Sequence, residues 1–141
     1  MRVDIVKTLG GRRVFGKAVR YVDLLEEIER GLPVRAYEII ADLLGLTPEE
    51  EDRLLQVSVR TRARWKHRSR LDPATSDRVV RIARIVALAE FVLENSQHAL
   101  EWLREPSDLL RGRTPLAAIA TDMGADEVTN MLQQMEHGVY A

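Results

Sequence analysis

The chain has 141 residues, 45% of them apolar and 30% charged, with a net charge of −1 and no cysteine. That is enough for one domain, or for two small ones sharing a core. It excludes a disulfide framework and thiol chemistry, and no apolar run is long enough for a transmembrane helix. The first nine residues lack the apolar run and small-residue cleavage site of a signal peptide, so a cytoplasmic protein without membrane contact is expected.

The small net charge conceals an uneven distribution. Residues 1–30 carry net +2 and residues 31–56 net −4. Residues 57–84 hold nine basic and two acidic side chains, net +7, and residues 85–141 carry net −6. A compact basic block between acidic segments suits phosphates, whereas the acidic remainder does not. The two ends of the chain are expected to meet different partners.

In chain order, residues 1–20 are basic, contain Gly10, Gly11 and Gly16, and show no clear period, so they read as an irregular basic arm. From Tyr21 the pattern is helical throughout, and the fold class is all-α. Val22, Leu24, Leu25 and Ile28 mark a first helix that ends at Gly31 and Pro33. Tyr37, Ile40, Ala41 and Leu44 mark a second, stopped by Gly45. Thr47-Pro48-Glu49-Glu50 starts a short helix that ends near Leu55, with Thr47 as cap and Glu50 bonding back to it. Ser58 caps the next helix, which reaches about His67. Asp72-Pro73 opens a long helix to about Leu93 with a broad apolar face. Helices near 97–104, 115–120 (capped by Thr114) and 125–136 follow, with Gly112 and Gly124 read as turns and Asp122 as a cap or turn residue. The organisation is an arm (1–20), a helix-turn-helix-like domain with its long connecting helix (21–94), and a small helical domain (95–141).

Leu46 to His67 reads helix, tight turn, helix. The second helix displays Arg60, Arg62, Arg64 and Lys66, with Arg68 and Arg70 just beyond it. In a helix-turn-helix this helix enters the major groove of DNA. Ser58 and Thr61 suit a phosphate or a base, and the arginines suit guanine or phosphate. The competing reading is a solvated basic face, or a dock for an acidic protein. Two positions depart from the usual motif. Gln56 stands at the turn, where glycine meets the need for positive φ. Arg62 stands where an aliphatic residue is usually buried, with Trp65 the candidate to supply that packing.

The last residues run Met131-Leu-Gln-Gln-Met-Glu-His-Gly-Val-Tyr-Ala141. A helix, a glycine break and an apolar stub with a carboxylate suggest a plug for another protein's pocket. The alternative is a stub packed back on its own domain. Trp102 reads as core, and His98 and His137 lie too far apart to suggest a metal site. No nucleophile–base pair or phosphate loop stands out, so neither an enzyme nor a cofactor is expected.

Several motifs occur in order: Trp102-Leu103-Arg104, Pro106, Gly112-Arg113-Thr114-Pro115-Leu116, Thr121-Asp122 with Gly124, Val128, and Glu136-His137-Gly138-Val139-Tyr140-Ala141. Together they resemble the toxin-binding domain of Xre/MbcA/ParS-type antitoxins. Upstream, Arg60-Thr61, Ala63-Arg64, Leu71, Pro73 and Ser76-Asp77-Arg78 resemble the Xre-like helix-turn-helix half of that family. The resemblance implies an antitoxin of a toxin–antitoxin pair. Its partner would be a toxin of the RES fold that consumes NAD, its C-terminal segment (Glu136, His137, Gly138, Val139, Tyr140, Ala141) would obstruct the toxin's active site, and its helix-turn-helix would bind operator DNA to repress its own promoter. A homodimer within a heteromeric complex is implied as well. The competing functions are a transcription regulator without a toxin partner and a purely structural interaction module.

Overall fold

The computed structural model describes residues 3–138. The expected tail residues Val139, Tyr140 and Ala141 lie outside the described residues. Ten α-helices occur among the described residues: α1 (Ile5–Thr8), α2 (Arg12–Phe15), α3 (Leu24–Arg30), α4 (Val34–Leu44), α5 (Pro48–Leu55), α6 (Val59–Arg64), α7 (Pro73–Leu93), α8 (Ser96–Leu103), α9 (Pro115–Ala118) and α10 (Asp122–Glu136). Short 3-10 turns extend three of the joints, at Tyr21–Asp23, Trp65–His67 and Asp108–Leu110.

Local chemistry sets most of the helix starts. Side-chain oxygens of Thr47, Ser58, Asp72, Asn95, Thr114 and Thr121 each accept from a backbone amide in the first turn of the helix that follows. At α5 the exchange is reciprocal: Glu50 N donates to Thr47 Oγ1 at 3.2 Å and Thr47 N donates to Glu50 Oε1 at 3.0 Å. Proline opens α5, α7 and α9, where its missing amide costs nothing.

The spine is α7. Its residues Val79, Ile82, Ala83, Ile85, Val86 and Ala89 are all buried. It packs against α1, α3, α4 and α5, and also against α8 and α10. One continuous cluster of buried side chains therefore runs from Ile5 and Leu9 through Ile40 and Leu55 to Leu103, Val128 and Leu132.

Residues 1–20, read from the sequence as an irregular arm, hold α1 and α2, and α1 lies on α7 with Ile5 and Leu9 in the core. A four-residue helix is too short to show a period, so only the burial reveals it. Between α3 and α4 the chain is stitched to the segment before α7. Leu71 N donates to Leu32 O at 2.8 Å, Val34 N donates to Ser69 O at 2.9 Å, and Leu32 N donates to the buried Ser76 Oγ at 2.8 Å. Gly31 permits this approach, because at φ +93° an added Cβ would lie 2.0 Å from Leu71 O.

Two local expectations change. Thr121, not Asp122, caps α10, and Asp122 is its first residue. Gly124 is not a turn but sits inside α10, where a Cβ would fall 1.8 Å from Ala118 O. The glycine therefore lets α10 press against the end of α9. Gly124→Ala should lower Tm by roughly 5–10 °C despite alanine's better helix propensity, because a backbone carbonyl cannot swing aside. Thermal unfolding followed by circular dichroism checks this.

Candidate functional site

Two surfaces carry the candidate residues, one on α6 and one along α10.

The turn between α5 and α6 is formed without glycine. Gln56 adopts φ 53°, ψ 44°, the left-handed conformation that the motif requires. Its side chain is held at both ends: Nε2 donates to Ala120 O at 3.3 Å, and Oε1 accepts from Arg78 at 3.5 Å. Arg78 also donates to Leu55 O at 3.3 Å. These contacts offset the cost of a side chain at positive φ, so the turn keeps its geometry.

The basic residues divide into two groups. Arg62 points inward. Its side chain is only 14% exposed, with Nη1 2.9 Å from both Glu51 Oε2 and Asp52 Oδ1. It also donates to Pro48 O at 3.3 Å. Arg62 thus replaces the usual buried aliphatic residue with an ion pair to α5, which commits its guanidinium inside the molecule. Trp65 supplies the packing beside it. It is buried against Tyr37, ring centroids 5.3 Å apart at 65°. Burial, and then the neighbouring Glu51 carboxylate, raise the Tyr37 phenol's pKa well above its ordinary value, so it stays protonated.

Arg70 is partly committed as well, donating to Gly31 O at 2.7 Å with the buried Glu27 carboxylate 3.8 Å away. Ser58 serves as the cap of α6, and its hydroxyl donates to Thr61 Oγ1 at 3.0 Å. Arg60, Arg64, Lys66 and Arg68 are exposed and make no ion pair among the described residues. The outward basic surface is therefore smaller than the sequence count suggests. Arg78 and Arg81 are also turned to partners inside the molecule.

A trough runs beside α10. One part, about 520 Å³, is lined by Leu109, Asn130, Met131, Gln134 and His137 among others. A second of about 520 Å³ continues it past Arg111, Arg113, Ala117 and Met123, sharing Leu109 and Glu127. Leu109 is 57% exposed and Met123 79%, so two large apolar side chains stand in water at its edge. The trough runs out at His137, whose Nε2 lies 3.6 Å from Glu136 Oε1, and Gly138 follows with φ 72°. Among the expected tail residues, Glu136, His137 and Gly138 are exposed. Leu109 and Met123 were not singled out by sequence reasoning. Their spacing resembles that of core residues, and only the fold leaves them outside.

The two surfaces are tied together. Arg104, after α8, grips Glu50 with both nitrogens at 2.8 and 3.0 Å and donates to Leu44 O at 2.8 Å. That fork lowers the Glu50 pKa and raises that of Arg104. Arg81 donates to Ala120 O at 3.4 Å and pairs with Asp122 at the start of α10.

Comparison with known proteins fits this division. Residues 23–84 match the antitoxin Xre-like helix-turn-helix domain. Residues 88–138 match the antitoxin Xre/MbcA/ParS C-terminal toxin-binding domain. The chain belongs to the Xre-type antitoxin family. Two relatives, both named antitoxin Xre, come from Pseudomonas putida and Yersinia enterocolitica. The first is 35% identical over 66% of this chain and 58% of its own length, so the match spans less than two thirds of that relative. The second is 27% identical over 88% of this chain and 85% of its own length. The family pairs a DNA-binding domain with a toxin-binding one and is not a family of enzymes. Among the described residues there is no cluster of three metal-ligating side chains, and no helix is long and apolar enough to cross a membrane.

The division of the arginines is directly testable. Arg60→Ala and Arg64→Ala should each reduce the magnitude of the log–log salt slope of DNA binding by about 1. Arg62→Ala should leave that slope unchanged and instead destabilise the fold by roughly 2 kcal/mol, since Glu51 and Asp52 lose their partner. Anisotropy titrations across salt concentrations and urea unfolding separate the two effects.

Proposed function

We propose that this chain is an antitoxin that binds and neutralises a cognate toxin and also binds DNA at its own promoter. The observation that supports the toxin half best is the exposed apolar trough along α10, inside the stretch that matches a toxin-binding domain and leading to His137 and Gly138. A toxin chain laid along Leu109, Met123 and Met131 would be guided to the segment 136–141. That segment then enters the toxin's active-site cleft. The resemblance to Xre-type antitoxins supports a RES-fold, NAD-consuming toxin as the partner. A cleft that holds NAD offers cationic groups and apolar walls, which suit an acidic domain whose segment 136–141 carries Val139 and Tyr140. Residues 95–141 are thus the inhibitory unit, residues 21–94 the DNA-binding one, and the working form is a homodimer within the toxin complex.

The second reading, a DNA-binding regulator without a toxin, rests on the feature that both readings share, the outward face of α6 with Arg60, Arg64, Lys66 and Arg68. Its four cations predict a log–log salt slope of about −3.6 for phosphate contacts alone.

Co-expression with the adjacent reading frame separates the two readings. The full-length chain should restore growth and cellular NAD, whereas a chain lacking residues 138–141 should restore neither and still bind DNA. If the shortened chain protects fully, the tail does not act as the plug. If the neighbour is harmless alone and NAD never falls, the regulator reading replaces the antitoxin one.

A further inference from the structure

The outward face of α6 is not purely basic. Trp65 and Arg62 turn its inner side to the molecule, which leaves Val59, Arg60, Ala63 and Arg64 pointing away. Val59 is 66% exposed, among the most exposed of the large apolar side chains described. Ala63, one turn further along, is exposed too. A β-branched residue facing water gains nothing for a six-residue helix. It has a lower helix propensity than alanine, and its apolar surface stays wet.

Phosphates give this surface no purpose, because they are met by cations and hydroxyls. The wall of the major groove does present one apolar group, the 5-methyl of thymine, beside the hydrogen-bonding edges of the bases. Residues four apart on a helix have Cβ atoms about 5–6 Å apart. Base pairs rise about 3.4 Å per step, so the two side chains can reach methyls on neighbouring or next-but-one pairs. Arg60 and Arg64 beside them suit guanine or flanking phosphates.

We propose that Val59, with Ala63, forms a thymine-reading subsite, so that the bound DNA carries thymine methyls opposite this strip of α6. The inference rests on α6 being the DNA-reading helix, and it adds a base preference that the arginines alone do not confer.

The test uses the full chain and a duplex selected by it from a random-sequence pool. The comparison is the same duplex with uracil in place of thymine in both strands, which removes only the 5-methyl groups. The intact chain should lose about four-fold in affinity per contacted methyl on this replacement. Val59→Ala should bind the thymine duplex less tightly, and its loss on replacement should be about four-fold smaller than that of the intact chain, since one methyl has lost its partner. Val59 is exposed, so the variant is expected to fold, and its circular dichroism confirms that. Equal affinity of the intact chain for both duplexes overturns the proposal, as does an undiminished loss in Val59→Ala. In either case salt-dependent DNA binding still stands. Absence of salt-dependent binding to any duplex overturns the DNA-reading role of α6, and the subsite with it.

Discussion

One constraint organises this molecule: α7 buries a broad apolar face that helices from both halves of the chain must cover. Val79, Ile82, Ala83, Ile85, Val86 and Ala89 are buried along its middle, and only a strip through Asp77, Arg84 and Phe91 is exposed. α1, α3, α4 and α5, which precede it, and α8 and α10, which follow it, all pack on it. The matches to the helix-turn-helix domain and to the toxin-binding domain end at residue 84 and begin at residue 88, both within α7. Two functional units are thus built on one shared helix, and neither can complete its core without it.

Polar ties then fix how the two units face. Arg104 reaches from the end of α8 to Glu50 and to the carbonyl of Leu44. Gln56 and Arg81 both donate to the carbonyl of Ala120, just before α10. These groups lie at the joints of the fold, where helix ends leave carbonyls without partners. The consequence is positional: the α5–α6 turn is braced by the unit that carries the trough. The outward side chains of α6 and the exposed residues beside α10 stay available for partners.

The sequence made much of this legible and missed the rest for identifiable reasons. Helical periods and the caps Thr47, Ser58, Asp72 and Thr114 are local signals, and all four cap as their sequence context indicates. Gln56 reads as a defect of the turn, because the group that holds its side chain, Ala120 O, lies sixty-four positions away. The ion pair of Arg62 with Glu51 and Asp52 is hidden in the sequence, because a row of arginines looks uniform until the helix is rotated against α5. Gly124 reads as a turn because its purpose is the carbonyl of Ala118, visible only once α9 and α10 are packed. Charge counts fail in the same way. They register how many arginines are present and not which of them already hold a carboxylate or a carbonyl.

The central claim is that the two units share one core and unfold as one. Trp65 lies beside α6 and Trp102 lies on α8, so each reports on a different unit. The measurement is urea unfolding of Trp102→Phe and of Trp65→Phe, with the remaining tryptophan's fluorescence compared with the loss of helical circular dichroism in the same variant. A shared core predicts that the two signals superimpose in both variants. A Trp102 signal that changes in a separate step from the loss of helix would contradict it, and would make the two units independent domains joined by a helix.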